Sequence, residues 1–266
     1  MEGPFCNMEI QQNKNERIKS IDKALNLLEF LSDNEREIGI VEISKKLNMG
    51  LSTVHRILTT LKFRGYVIQN QKTAKYRLGI KLFELGCEVQ STKNLIKIVR
   101  PHLRKLSKMT NETANLAILE DKEVVYLNTI GSPEILRTEI VQGTRIPAHC
   151  TALGKVLLAF LSDSDFDQLY RSNEPIISLT SQTISSLDKL KKELKNVKEQ
   201  GYALDREEYK IGINCVGVPL FIKNGEDVAA ISITGPASRF TIDKMEEAKN
   251  KLIIVSKKIS KSFYKT

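Results

Sequence analysis

The sequence predicts an α+β fold in two parts. The first is an N-terminal winged helix-turn-helix. The second is a larger domain on a mixed, mostly antiparallel sheet with flanking helices. Three observations point there. Before residue 64, apolar residues recur at helical spacing in three successive segments, with a glycine turn between the second and third. A short hairpin pattern follows at Tyr66–Leu78. Beyond Thr110 the texture changes to short apolar runs separated by turn signals, and the last segment is a long amphipathic helix.

Residues 1–15 are polar and aperiodic and predict a disordered tail, with the winged helix-turn-helix over 16–78, a linker helix over 79–95 and the second domain over 96–266. Ser20 is placed to cap the first helix, whose apolar positions are Ile21, Ala24, Leu25, Leu28 and Leu31. Gly39 breaks that pattern. Val41, Ile43 and Leu47 are the inward positions expected of a second short helix, and Asn48-Met49-Gly50 forms the turn. Ser52 and Thr53 are candidate caps for the third helix, whose apolar face is Val54, Ile57, Leu58 and Leu61. Gly65 ends it. Tyr66-Val67-Ile68 and Lys75-Tyr76-Arg77-Leu78 then read as the basic arms of a wing around a polar turn at Gln69–Ala74.

From Gly79 to Gln90 a helix is expected, with Ile80, Leu82, Phe83 and Leu85 apolar; a second, over Leu95–Met109, contains Pro101, a point of kinking or restart. Asn115–Leu119 and Val124–Thr129 are strands of a hairpin around Glu120-Asp121-Lys122-Glu123, and another strand is expected over Leu136–Val141. Thr151–Phe160 and Leu187–Gln200 read as helices, the latter stopped by Gly201. Strands follow at Tyr202–Leu204, Cys215–Ile222 and Val228–Thr234, the last two joined by a tight turn at Asn224-Gly225, and Ile242–Phe263 is the final helix.

The net charge of +9 is concentrated. Nine basic residues and no Asp or Glu fall between Lys45 and Lys81, and the rest of the chain balances to zero. A block of this kind on a winged helix-turn-helix points to a polyanion, and an α-helix fits the DNA major groove, where base edges are distinguishable. The third helix offers Ser52, Thr53, His55, Arg56, Thr59 and Lys62 on one face; Lys72, Lys75 and Arg77 of the wing suit the phosphate backbone, and Lys45 and Lys46 either touch phosphate or are solvated.

No apolar run reaches the ~18 residues of a membrane span, and the N-terminus lacks the apolar core of a signal peptide, so no membrane partner and a cytoplasmic location are expected. The four cysteines are widely spaced, which argues against a structural zinc site or a disulfide framework. His149-Cys150 invites a nucleophile reading, but neighbours on an extended chain point apart and no GxSxG or triad spacing surrounds them. An enzyme is therefore not expected. A metal- or redox-responsive site using His149, Cys150, Cys215 and Asp205 stays open as an alternative; nothing in the spacing demands it.

RIKSIDKALNLLEFL, VEISKKLNMGLSTVHRIL and YRLGIKLFELG, with RPHLRKLSKMTNETANLAIL, AHCTALGKVLLAF, GYALDREEYKIGINCVGVPLF and AAISITGPASRF, resemble the IclR family of bacterial transcriptional regulators over about Arg17 to Phe263. The resemblance implies a linker helix joining the winged domain to a GAF-like effector domain. It implies a homodimer or homotetramer on palindromic double-stranded operator DNA, most often as a repressor of a catabolic operon. It also implies a small organic acid, sugar acid or related metabolite as effector, with no other cofactor. The positions that match the family's pocket are Ala152, Leu153, Asp205, Cys215, Ser232 and Thr234. A helix start at Ala152–Gly154 suits an anion, with Gly154 and Ala152 permitting close approach. Ser232 and Thr234 share one strand face, and Ile135 and Ile146 are candidate apolar walls. Cys150 stands where the family usually has a small residue such as alanine.

Overall fold

The computed structural model describes residues 18–34, 36–170, 175–222 and 227–263. The expected tail over 1–15 and the turn at Asn224-Gly225 lie outside the described residues. The chain forms two compact units, Met1–Gln90 and Ser91–Thr266.

The first unit comprises α1 (Lys19–Ser32), α2 (Ile40–Lys46), α3 (Leu51–Phe63), β1 (Val67–Gln69), β2 (Tyr76–Leu78) and α4 (Lys81–Cys87). Its core is Leu27, Leu31, Ile38, Ile43, Val54, Leu58, Val67 and Tyr76. The inward face of α1 therefore runs through Leu27, Leu28 and Leu31, while Ile21 and Leu25, expected inside, are about half exposed. Val41 is likewise exposed, and Ile43 anchors α2. The expected side-chain caps are also absent. Ile18 and Gly50 occupy the N-cap positions of α1 and α3 without a side-chain bond, so Ser20, Ser52 and Thr53 sit within the first turns. The turn takes its left-handed residue at Asn48, φ 49°, a conformation Asn tolerates, and Gly50 stays extended.

β1 and β2 pair antiparallel, and Ile38 adds a third short rung through Ile38 N–H to Tyr76 O and Tyr76 N–H to Ile38 O. Gly79 is required at the base of this wing: a Cβ there would lie 2.1 Å from the Gly65 carbonyl oxygen.

The second unit comprises α5 (Gln90–Thr110), β3 (Thr113–Glu120), β4 (Glu123–Ile130), β5 (Arg145–Pro147), a 3-10 turn (Ala148–Cys150), α6 (Ala152–Ala159), α7 (Asp163–Leu169), α8 (Leu187–Gln200), β6 (Ala203–Arg206), β7 (Ile213–Ile222), β8 (Asp227–Pro236) and α9 (Ile242–Phe263). The two helices expected from Gly79 onward are α4 and α5, the second beginning at Gln90, so the expected linker over 79–95 spans α4 and the start of α5. Pro101 lies inside an uninterrupted α5. Its one missing backbone bond is offset by the burial of Leu95, Val99, Leu103 and Leu106 along one stripe.

The sheet order is β5-β4-β3-β8-β7-β6, and every neighbouring pair is antiparallel. Both faces are covered. Leu116, Val216, Val218, Ile231 and Ile233 pack with α5 and α9, whereas Ala117, Cys215 and Ala230 pack with α6 and α8. The β3–β4 hairpin turns at Asp121-Lys122 as expected.

The expected strand over Leu136–Val141 does not form. Arg145–Pro147 takes the edge of β4 instead, in register with Glu123–Val125, and a bulge in β4 after Tyr126 interrupts the ladder above it. Residues 132–140 form an irregular loop tied down by Thr113 Oγ1 to Thr138 O (2.8 Å) and Arg239 Nη1 to Leu136 O (2.6 Å). No described helix is long and apolar enough to cross a membrane.

Candidate nucleic-acid interface and ligand cradle

In α3 the burial of Val54 and Leu58, with Ile57 and Leu61 packed beside them, turns the other side of the helix outward. Ser52, His55, Arg56, Thr59 and Lys62 are exposed and Thr53 is half-buried. The Arg56 guanidinium has no ion-pair partner among the described residues. Thr59 Oγ1 donates to the His55 carbonyl (2.8 Å), leaving its lone pairs as acceptors. Lys62 differs from the sequence reading: its Nζ donates to Gln69 Oε1 (2.9 Å), tying the helix to the wing.

The wing turn is organised by two residues the sequence reading passed over. Asn70 Oδ1 accepts from the backbone N–H groups of Lys72 and Thr73, an Asx turn. Its Nδ2 donates to Glu37 (2.8 Å to Oε2), which also accepts from Thr73 Oγ1 and lies 3.9 Å from Arg77. Lys72 and Lys75 are exposed. The surface therefore pairs a helix carrying short polar groups and an unpaired guanidinium with a cationic hairpin. Such a surface binds duplex phosphate electrostatically and reads base edges with the helix.

The six candidate pocket residues are brought together in the second unit, all nearly fully buried. Asp205, Cys215 and Thr234 form one row across β6, β7 and β8, which continues to Thr113 on β3. Ser232 lies in the adjacent row, between Gly217 and Asn115. Thr234 Oγ1 donates to Cys215 Sγ (3.1 Å), and Asn115 Nδ2 donates to Ser232 Oγ (3.2 Å) and Thr234 Oγ1 (3.1 Å). Ala152 and Leu153 come within reach because β7 carries Gly217, where a Cβ would sit 3.0 Å from the Ala152 backbone.

Gly154 has a different reason from the one expected. A Cβ there would meet the Ala148 carbonyl oxygen at 2.1 Å, so it admits protein backbone rather than a ligand. Its N–H is held by the Thr151 side-chain cap (2.9 Å), which removes one donor from the expected anion site. Ile146 is buried as a wall should be, but Ile135 is fully exposed in the irregular loop.

Burial pushes the Asp205 carboxyl up to about 7, and the nearby Glu208 carboxylate adds to the rise; the Glu208 backbone N–H, donating to Oδ1 at 2.8 Å, works against it. Burial also pushes the Cys215 and Cys150 thiols up to about 12. Cys150 Sγ donates to Pro147 O (3.2 Å) and His149 Nε2 meets Ile177 O (2.8 Å), so the pair does not form a nucleophile and base. Among the described residues no group of three or more His, Cys, Asp or Glu is placed to hold a metal.

Sequence reading missed Asn115, which bridges Ser232 and Thr234 and leaves its buried Oδ1 without a partner. Thr129 Oγ1, opposite Asn115 on β4, is also buried and unpartnered. The available signal was the alternation of polar residues at Thr113 and Asn115 within an otherwise apolar strand.

Residues 20–71 match the model of the IclR helix-turn-helix domain, and 87–261 match that of the bacterial transcriptional regulator IclR C-terminal domain. The chain is 39% identical over 243 residues to the HTH-type transcriptional regulator KdgR of Escherichia coli, covering 91% of this chain and 92% of that protein. It is 30% identical to the transcriptional repressor IclR of E. coli, covering 93% and 90%. The crystal structure of Thermotoga maritima IclR, 32% identical, aligns with a TM-score of 0.75 over 93% of this chain and 99% of that one. These relatives are transcriptional regulators and not enzymes. Two family domains in order, a helix-turn-helix with an outward cationic face and a second domain with a buried polar cradle place the chain in the IclR family of ligand-responsive, DNA-binding transcriptional regulators.

Proposed function

We propose that the protein represses a catabolic operon from the cytoplasm, binding a palindromic operator as a homodimer or homotetramer. Its effector is a small organic acid or sugar acid, held by Ala152, Leu153, Asp205, Cys215, Ser232 and Thr234 without any other cofactor. On the DNA, Ser52, Thr53, His55, Arg56, Thr59 and Lys62 act from the recognition helix, and Lys72, Lys75 and Arg77 act from the wing. The observation that carries the effector site is the convergence of Asp205, Cys215, Ser232 and Thr234 on adjacent rows of one sheet face, under the first turn of α6. Hydroxyls, a carboxyl poised near neutrality and an unpartnered Asn115 oxygen suit a hydroxylated ligand, and the helix start suits its carboxylate.

The test pairs two variants. Arg56→Ala is expected to weaken binding to DNA from upstream of the neighbouring genes while leaving thermal-shift responses to sugar acids and short organic acids intact. Ser232→Ala is expected to do the reverse. An Arg56→Ala protein with unchanged DNA affinity at every salt concentration would remove α3 as the reading helix.

A further inference from the structure

The second unit contains an open cleft of about 540 Å³ that none of the six cradle residues lines. One wall is α8. Its Leu190, Leu194 and Val197 stripe is buried in the core, which turns Glu193 and Asn196 toward the opening. The opposite rim is Gln182 and Ile184. That rim is held in place: Thr180 Oγ1 donates to the Glu207 carbonyl (2.7 Å) and Thr183 Oγ1 to the Glu208 carbonyl (2.6 Å). Leu204 of β6 supplies an apolar wall.

Beneath these lie Lys155 and Glu208, both more than nine-tenths buried. Lys155 Nζ donates to Glu208 Oε1 at 2.6 Å and is 3.6 Å from Glu193, so its charge is committed. Glu208 Oε2 is buried and has no partner. A buried carboxylate oxygen without a donor is costly, and a ligand hydrogen-bond donor relieves that cost.

We infer that this cleft is a second ligand site, distinct from the strand cradle, and that it takes a small uncharged polyhydroxylated molecule of monosaccharide size. Glu208 and Glu193 accept from hydroxyls. The amides of Asn196 and Gln182 donate and accept at once, as a hydroxyl does. Ile184 and Leu204 face the C–H surface of such a ligand. A free carboxylate is disfavoured by Glu193, Glu199 and Glu208, and Arg206 at the edge works against an ammonium. The volume lies within the usual range of small-molecule sites, roughly 300–1,000 Å³.

The experiment is saturation-transfer NMR on the full chain with D-glucose, D-xylose and myo-inositol as probes in the millimolar range, and with putrescine and acetate as charged controls. At least one polyol is expected to bind saturably. Its affinity is expected to fall roughly tenfold in Glu193→Gln and in Asn196→Ala, the loss of about one hydrogen bond, and to hold in Ser232→Ala. Glu193 and Asn196 lie on the face of α8 away from its buried stripe, and melting curves verify that the variants fold. Absence of binding by all three polyols overturns the inference. So does polyol binding that ignores both α8 variants or is lost in Ser232→Ala, and so does binding of putrescine or acetate alone. DNA and effector binding in the wild-type protein stand apart from these outcomes.

Discussion

The two units keep the polar groups proposed to bind in opposite states. In the first, Arg56, Lys72 and Lys75 lie in water beside an acid-poor surface, their charge available to a partner from outside. In the second, Asp205, Ser232, Thr234 and Asn115 lie out of water: Asn115 donates to Ser232 and Thr234, Asp205 accepts from the Glu208 backbone N–H, and Asn115 Oδ1 is left without a partner. Exposed cations cost the fold little and act at a distance through the phosphate field. Buried polar groups are costly where unpartnered, so the proposed cradle is also part of the core. A substitution on α3 should therefore alter binding alone, whereas one in the cradle or beneath it should also alter stability.

The largest effect should come from Lys155→Met, which strands the Glu208 carboxylate. A loss of about 3–5 kcal/mol is expected by denaturant unfolding of the second unit. Adding Glu208→Gln should restore most of it, and failure of that rescue would show that Lys155 matters through packing and not charge. Next is the Asp205 titration. Its folded value of about 7 lies above the ordinary carboxyl value of 3.8, so between these pH values the folded state binds more protons than the unfolded one. Stability should then fall as pH rises from about 4 to 7, at up to about 1.4 kcal/mol per pH unit, and level off above. The difference between wild type and Asp205→Asn isolates this term, and parallel pH profiles for the two proteins would refute it.

Arg56→Ala should lower DNA affinity by about 1–3 kcal/mol with no change in melting temperature, the reverse of the Lys155 pattern. Thr151→Ala removes the α6 cap and should cost about 1 kcal/mol of stability. The smallest effect belongs to Lys72→Ala. The slope of log affinity against log salt should shrink by about 0.9, with stability unchanged, and a slope that stays the same would place Lys72 off the phosphates.

The sequence alone made the DNA-binding face legible in more detail than the cradle. Helical periodicity with an acid-free block identifies both an inward stripe and its opposite, so Val54 and Leu58 place Arg56 outside without tertiary information. The end of α8 at Gly201 and the hairpin at Asp121-Lys122 are written in local turn chemistry. Leu28 and Leu31 face inward as expected, but α1 carries a second apolar stripe through Ile21 and Leu25, and only packing into the core with Ile38, Ile43, Val54, Leu58 and Tyr76 selects Leu27 in its place. Leu136–Val141 has a strand's composition, but the position beside β4 goes to Arg145–Pro147, and which segment pairs there is a property of topology.

Composition and periodicity by themselves determined a two-part chain, three helices and a wing, and which polar side chains of α3 face outward, because those features depend on neighbours along the chain. Only the tertiary structure decided that Asn115 joins Ser232 and Thr234 across 117 and 119 positions. It alone set Gly154 against Ala148 and buried Lys155 on Glu208. Those contacts follow from strand register and layer packing, which bring distant residues within a few ångströms, and no local pattern encodes them.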